Sequence, residues 1–229
     1  MVVAICFSAG LVFHSMYYDL VYVSGTSMYP NLNGDEDEGN GSLVDFGIVD
    51  SHKSAIKNIK RFSIVSTYYS TDYLSNGSLI PNPKQKIKRV IALPGETFKI
   101  EESVLYVLKD GVYEEVPYTF KIEPAKSTDK DVDPLTLGED EYWVLGDHRN
   151  KSHDCGSSDV MTPVKKSYLL GVLVAIEGRA QLEEVKKVCN KCGATVNKNA
   201  TKCSTNNCDG SLSPVYDLKH KQYHWPKYF

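Results

Sequence analysis

Three short segments, far apart in the chain, carry the side chains that could do chemistry. Residues 24–30 (SGTSMYP) place a serine hydroxyl on a turn, and residues 88–96 (KRVIALPGE) place a lysine amine in an apolar strand. Residues 146–154 (GDHRNKSHD) form a Gly-Asp turn with polar side chains around it. A serine hydroxyl is a weak nucleophile until a base removes its proton, and a lysine amine can be that base. The sequence therefore indicates acyl transfer, and a peptidase is its leading interpretation.

The amine of Lys88 can act as a base near neutral pH only if its pKa falls well below the usual value of about 10.4. Burial among apolar groups lowers an amine pKa, because it disfavours the charged form. Side chains alternate along a strand, so Lys88 shares one face with Val90 and Ala92. Arg89 points to the opposite face, where it can meet an acid. Taken alone, such a Lys-Arg pair is more often a solvated strand edge, but the other two segments favour a buried amine.

Together the three segments resemble those of bacterial type I signal peptidases, membrane-anchored Ser/Lys endopeptidases that remove signal peptides from exported proteins. The resemblance runs from about residue 19 to residue 178. It implies a mostly β fold with an antiparallel-sheet catalytic domain, and preprotein signal peptides as substrates. It also implies small residues before the scissile bond, of the Ala-x-Ala type, and a peptide bound in extended form along strand edges. Catalysis in this family needs no cofactor.

The resemblance assigns catalytic roles residue by residue. Ser27 is expected to be the nucleophile, Lys88 the general base, and Ser152 the hydroxyl that orients the lysine amine. The backbone N–H of Ser27 is expected to donate to the oxyanion. Some family members place a serine two residues before the nucleophile, where this chain has Gly25.

Supporting roles follow in the same way. Asp147 and Asp154 match structural acids, and Arg89 is expected to pair with Asp147. Met28 and Ile87 are expected at the substrate-binding surface.

The third segment departs from the family pattern. Cys155 and Gly156 stand where the family usually has Ser-Arg, so the arginine expected to partner Asp154 is missing. His148 stands where many members carry asparagine. These departures leave open a second hypothesis: a catalytically weakened binding or scaffold protein that acts through its C-terminal segment.

Two other chemistries are less favoured. A Ser-His-Asp triad could use His148 or His153, which stand beside acids, but no serine lies in a Gly-x-Ser-x-Gly elbow. A Ser/Lys relative that cleaves itself, as LexA-like regulators do, would be expected to carry a helix-turn-helix region, and the sequence has no such pattern.

Four cysteines crowd into one C-terminal stretch. They form a CxxC pair and a CxxxxC pair separated by ten residues: Cys189, Cys192, Cys203 and Cys208. Four thiolates close a tetrahedral structural zinc site, so the spacing predicts a zinc ribbon. Two disulfides or a rubredoxin-like iron site are the alternatives. The isolated Cys155 is expected to be a packed side chain.

The N-terminal residues 1–18 contain no charged side chain, although a membrane span needs about 20 apolar residues. We expect a short hydrophobic helix that acts as a membrane anchor in contact with lipid, with a buried helix of a soluble domain as the alternative. The catalytic domain is then expected on the extracytoplasmic face of the cell membrane.

The remaining divisions follow from composition. We expect the catalytic domain over residues 19–178, a linker over 179–188, the zinc ribbon over 189–213 and a polar-aromatic tail over 214–229. The 229 residues are 41% hydrophobic and 24% charged, as in globular proteins. A formal net charge of −3 argues against nucleic acid as a partner.

Overall fold

The protein is described by a computed structural model that covers residues 17–33, 43–74, 77–80, 83–126, 130–157, 160 and 162–229. Within these residues the chain is mostly β, and every pair of strands is antiparallel, which confirms the expected fold class. The strands are β1 (Tyr18–Tyr22), β2 (Leu43–Asp50), β3 (Ile64–Thr67), β4 (Lys86–Ala92), β5 (Thr97–Glu101), β6 (Val104–Lys109), β7 (Val112–Glu115), β8 (Val132–Thr136), β9 (Glu141–Leu145), β10 (Val164–Lys165), β11 (Leu169–Cys189), β12 (Thr195–Asn197) and β13 (Leu212–Tyr228). The helical pieces given for this part of the chain are α1 (Lys53–Lys57) and two 3₁₀ turns, Ser70–Asp72 and Lys166–Tyr168.

The described strands form two sheets. In the larger sheet the order is β1-β2-β11-β3-β4-β9-β10, and β12 and β13 also pair with β11. The smaller sheet has the order β7-β6-β5-β8. Between β6 and β7 the chain reverses at Asp110-Gly111, because Lys109 pairs directly with Val112. This hairpin is the one that the Asp-Gly dipeptide predicts.

A large apolar core joins the two sheets. Phe98 of β5 packs against Trp143 of β9 with ring centroids 5.5 Å apart. The alternation along β5 buries Phe98 and Ile100 and leaves Lys99 at the surface, so this face of the small sheet covers β4 and β9. The strand that carries Lys88 is therefore packed on one side by a rigid core.

A second, smaller core lies beneath residues 24–32. Its centre is Met28, which is fully buried. Because this core holds the segment after β1 from below, it fixes the turn that carries Ser27. Its buried members are Val23, Met28, Leu32, Val49, Ile64, Leu173 and Ile176.

The C-terminal quarter of the chain differs from the expectation. Residues 179–188, expected as a linker, continue β11 without a break, and residues 214–229, expected as a tail, belong almost entirely to β13. The two strands pair from Ala175↔Tyr228 to Cys189↔Leu212. The many charged residues of 179–188 suggest a solvated linker, but a paired ribbon with exposed faces has the same composition. We call residues 179–229 the C-terminal arm.

Two further parts of the chain complete the description of the fold. The polar stretch of residues 121–140 contains β8, which pairs with β5. Among the described residues, no helix is both long enough and apolar enough to cross a bilayer. The predicted N-terminal anchor, residues 1–18, lies almost wholly outside the described residues.

Candidate active site

The turn after β1 presents Ser27. Gly25 has φ of +83°, a left-handed conformation that glycine adopts without strain, so the chain can reverse two residues before the serine. Backbone N–H groups of Tyr29 and Asn31 then donate to the carbonyls of Thr26 and Met28, at 3.0 Å each. Ser27 therefore sits at the start of a tight helical turn whose next residue is anchored in the smaller core.

Ser27 meets Lys88 across the sheet. The Nζ atom of Lys88 lies 2.7 Å from Oγ of Ser27. The lysine is only 4% exposed, and burial lowers its pKa from 10.5 to about 8, against the opposing influence of Asp154 and Asp147. Above that pH the neutral amine can accept the serine proton, so the pair has the geometry and the protonation state that nucleophilic catalysis requires.

The third segment, residues 146–154, contacts the first, residues 24–30, at Gly146. A Cβ atom at this position would lie 2.3 Å from the carbonyl oxygen of Ser27 and 2.2 Å from Oγ of Ser152, so only glycine fits without displacing them. The same Ser27 carbonyl accepts a 3.1 Å hydrogen bond from the backbone N–H of His148. The Gly-Asp turn therefore positions the backbone of the residue that carries the hydroxyl.

A buried ion pair ties the second segment to the third. Arg89 donates through Nε and Nη2 to the two carboxylate oxygens of Asp147, at 2.8 and 2.7 Å. The guanidinium also lies 3.9 Å from the ring centroid of Phe120. Such a bidentate pair fixes both side chains. This is the partner that the resemblance implied for Arg89.

Two asparagines near the turn were missed by sequence reasoning. Asn31 Nδ2 donates to Asp147 at 2.8 Å. The side chain of Asn33 donates to the carbonyl of Gly25 at 2.9 Å and accepts from the backbone N–H of Asp45 at 2.7 Å. Both side chains brace the turn that holds Ser27. A loop asparagine is an ordinary turn residue, so its type alone gives no sign of such contacts.

Asp154 has a cation partner that the sequence did not suggest. It accepts from the backbone N–H of Gly146 at 2.8 Å, and Lys130 Nζ lies 3.4 Å from its other oxygen. Lys130 also donates to the Ser152 carbonyl at 2.9 Å and to the Ser157 hydroxyl at 2.7 Å. Gly156 has no side chain to occupy this space, and a Cβ there would lie 3.5 Å from Lys130 Cδ. A lysine from a distant loop thus takes the place of the missing arginine.

Two expected roles are not reproduced. Oγ of Ser152 is buried without a hydrogen-bond partner among the described residues, so it does not contact the Lys88 amine. It points instead at the backbone of Gly146, where the close approach noted above holds it. Met28, expected at the substrate-binding surface, is fully buried and belongs to the smaller core, because the turn directs its side chain inward.

A cleft of about 420 Å³ opens beside Ser27 and Lys88. One wall is the chain from Leu20 to Ser24, and another is the chain from Pro83 to Ile87. The third wall comes from the C-terminal arm, at Pro214–Tyr216. In the described part of the chain β1 pairs only with β2, which leaves its other edge open to the cleft.

A cysteine nucleophile or a histidine base would fit this geometry less well than the Ser27–Lys88 pair. Cys155 is fully buried, and burial raises the pKa of its thiol to about 12, so it is inert, as expected for a packed side chain. The group within hydrogen-bond distance of the Ser27 hydroxyl is an amine, not an imidazole. The arrangement therefore favours a Ser/Lys pair over a Ser-His-Asp triad.

The four clustered cysteines converge at the tip of the arm. Their sulfur atoms all lie within 4.8 Å of one another. The closest approaches are 3.6 Å between Cys189 and Cys208 and 3.4 Å between Cys192 and Cys203, and all four are free thiols. Four sulfurs at about 2.3 Å from one zinc ion would be separated by roughly 3.8 Å. The donor set and its spacing therefore fit a tetrahedral metal ion.

Local contacts help to bring the four cysteine sulfurs together. A Cβ on Gly210 would lie 2.4 Å from the sulfur of Cys189, so glycine is needed at this close approach. The Thr205 hydroxyl lies 3.4 Å from the sulfur of Cys192, and hydrogen bonds from Thr205, then from the Ala194 backbone N–H and from Cys203, together lower the pKa of that thiol to about 6. A low thiol pKa favours the thiolate, which is the form that binds metal.

Comparison with known proteins agrees with the site. Residues 1–177 match the family described as signal peptidase, peptidase S26. The chain is 35% identical over 158 residues to signal peptidase I V of Bacillus subtilis (strain 168), covering 66% of this chain and 80% of that protein. It is 30% identical over 124 residues to signal peptidase I P of Bacillus subtilis subsp. natto, covering 50% of this chain and 61% of the relative.

A solved structure of a signal peptidase I from Enterococcus faecalis V583 aligns with a TM-score of 0.36 and 25% identity, covering 51% of this chain and 97% of that one. The matched family region contains all three chemical segments and ends just before the C-terminal arm. The chain belongs to the signal peptidase family, peptidase S26.

Proposed function

We propose that this protein is a type I signal peptidase that cleaves preproteins with a dyad of Ser27 and Lys88. The observation that carries the proposal is the 2.7 Å separation between a buried amine and the hydroxyl on the turn. An amine with a pKa of about 8 is neutral in roughly one molecule in ten at pH 7 and in about half at pH 8. Family membership makes peptide-bond hydrolysis the expected reaction.

The mechanism follows from this pair. Oγ of Ser27 attacks the scissile carbonyl carbon while its proton moves to Nζ of Lys88. The backbone N–H of Ser27 stabilises the oxyanion. Lys88 then gives the proton to the leaving amine, and the carbon–nitrogen bond breaks. Water attacks the acyl-enzyme, Lys88 accepts its proton, and the serine oxygen leaves and recovers a proton from the amine.

The cleft supports an extended peptide as substrate. The open edge of β1 offers backbone groups with which a peptide can pair as an added strand. The family resemblance implies small side chains before the scissile bond, of the Ala-x-Ala type. Preprotein signal peptides are therefore the proposed substrates.

The test is cleavage of a preprotein with an Ala-x-Ala site in detergent, with N-terminal sequencing of the product. Ser27→Ala and Lys88→Ala should each abolish cleavage. Ser54→Ala and Lys109→Ala remove the same side chains at exposed positions and should leave it unchanged. Cleavage retained by both dyad variants would refute the mechanism.

The same assay decides the scaffold hypothesis, which predicts no turnover by the wild type. Lys130 weighs against that hypothesis, because Asp154 has a cation partner despite the Cys155-Gly156 change. The structural support of the site is therefore compatible with activity.

We also propose that the four tip cysteines bind one structural zinc ion. Support comes from four convergent thiols with no other metal-binding side chain in the cluster, a donor set that leaves no open position. When bound, the ion would hold the tip together and take no part in peptide hydrolysis. Elemental analysis of protein purified under reducing conditions should give one zinc per chain, and absence of metal after zinc-replete expression would rule this out.

Attachment to the cell membrane, with the catalytic domain on its extracytoplasmic face, completes the proposal. The apolar residues 1–18 support it, as do exposed aromatic side chains near the end of the arm. Trp225 is 94% exposed and Tyr228 75% exposed, and such residues favour the membrane interface. Recovery of the full chain in a carbonate-washed membrane fraction would support anchoring, and recovery in the supernatant would contradict it.

A further inference from the structure

We propose that the C-terminal arm is part of the substrate-binding site, with Pro214–Tyr216 contacting the preprotein while it is bound at Ser27. This inference rests on the proposed function and extends it, because the matched family region ends at residue 177. The observation behind it is that these three residues form one wall of the cleft beside Ser27 and Lys88.

The course of the arm explains how it reaches the cleft. The pairing of β11 with β2 ends at Gln181↔Leu43, so the arm continues beyond the sheet at the end where β1 leads into the Ser27 turn. The β11–β13 pairing has three register shifts, between Ile176 and Gly178, Arg179 and Gln181, and Glu184 and Lys186. Bulges of this kind bend a strand pair and increase its twist. The bent arm brings the start of β13 back beside β1.

A second observation agrees with this approach. Burial, and then the proximity of Tyr216 and Asp217, raises the pKa of Tyr22 at the end of β1. Tyr22 and Tyr216 both line the cleft. The arm residues Pro214, Val215 and Tyr216 are all partly buried, so they do not project freely into solvent.

The chemistry of the walls defines what the cleft accepts. Proline, valine and tyrosine give the arm wall an uncharged, apolar surface. On the opposite wall Lys86 is held by an ion pair with Asp72, and its amine lies 4.8 Å from the ring centroid of Tyr69. The cleft therefore suits an extended peptide whose side chain facing the arm is uncharged and apolar. Through this wall the arm determines specificity at one substrate position.

The experiment compares two identical substitutions in the arm. Val215→Arg places a long cation in the cleft, whereas Val185→Arg places it on the neighbouring strand of the same arm, where valine is 37% exposed and does not line the cleft. We expect kcat/KM for an Ala-x-Ala preprotein to fall roughly tenfold or more for Val215→Arg, mainly through KM. Val185→Arg should behave as wild type, and zinc content and circular dichroism should match for all three proteins.

A photo-crosslinking experiment tests contact without turnover. Benzoylphenylalanine replaces Tyr216 or, as the control, the 69% exposed Tyr223, in a Ser27→Ala background with the same preprotein as probe. A crosslink from position 216 and none from 223 supports the proposal. If wild type cleaves the preprotein but Val215→Arg is equally efficient and position 216 gives no crosslink, the arm is not part of the site. If wild type fails to cleave, the proposed function itself is wrong.

Discussion

At the scale of single residues, opposing influences set the protonation of Lys88. Burial lowers its pKa, while Asp154 and Asp147 raise it, and Lys86 and Lys130 lower it again to a smaller extent. Arg89 neutralises Asp147 through a bidentate pair, and Lys130 lies beside Asp154. The acids next to the lysine are thus paired with other cations, which leaves burial as the dominant influence.

The pH dependence of cleavage should report this balance. In the proposed mechanism the active form carries a neutral Lys88 amine, so kcat/KM should rise about tenfold per pH unit below the lysine pKa and level off above about pH 8. Initial rates at low substrate concentration from pH 6 to 9 measure it. A rate that does not change between pH 6 and 8 would show that no group with this pKa acts as the base.

Lys130 gives a second prediction at this scale. Lys130→Met removes a cation that lowers the Lys88 pKa and leaves Asp154 without its partner, and both changes raise the lysine pKa. The rising limb of the pH profile should therefore move to higher pH. Because Asp154 is 1% exposed, the free energy of unfolding should also fall by roughly 2 kcal/mol.

The control for this variant is Lys130→Arg, which keeps the charge and should restore both the pH profile and the stability measured by urea unfolding. An unshifted limb in Lys130→Met, with stability lost, would make Lys130 a purely structural residue.

At the scale of elements, the turn after β9 matters because it meets the Ser27 turn at a backbone contact. Gly146→Ala should lower kcat/KM by at least about 100-fold, since its Cβ would overlap the Ser27 carbonyl and move the proposed nucleophile. Gly138→Ala is the matched control, because its Cβ would meet only the flexible Glu141 side chain, at 3.2 Å or more. Comparable losses in both variants, measured on folded protein, would mean that the contact at residue 146 has no special importance.

How far the sequence predicts these elements depends on the range of the interaction. Ser27 and Lys88 could be singled out as candidate site residues because each lies in a distinctive local pattern. The Asp110-Gly111 hairpin follows from a dipeptide. Lys130 could not be identified as the cation partner of Asp154, because the two residues lie 24 positions apart and a loop lysine has no local signature. Ser152 was given a contact on family pattern alone, and its side-chain direction depends on packing against Gly146.

The arm shows the same limit over a longer range. Residues 179–188 and 214–229 are polar, and each alone resembles a linker or a tail. Their strand character comes from pairing with each other across the cysteine tip, which a linear pattern does not reveal. A single sequence predicts the tip from its cysteine spacing more readily than the strands that carry it.

At the scale of the whole molecule, the arm is an extension of the main sheet. β13 pairs with β11 down to Ala175, within the region where β11 also pairs with β2. The Tyr223 ring packs edge-on against Phe46 of β2 with centroids 5.2 Å apart, and Lys227 donates to the carbonyl of Asn31 at 3.1 Å. The C-terminal strand therefore contacts both the sheet and the segment that follows Ser27.

This arrangement predicts different results for two deletions. Removing residues 212–229 exposes the edge of β11 and should lower the melting temperature by roughly 5–10 °C, with aggregation through the open edge. Replacing residues 190–211 with Asn-Gly removes the cysteine tip but keeps the Cys189↔Leu212 pair next to a two-residue turn. Thermal unfolding and size-exclusion chromatography should find this protein monomeric and close to wild type in stability. If it unfolds as early as the strand deletion, the cysteine tip, and not strand pairing, stabilises this end of the molecule.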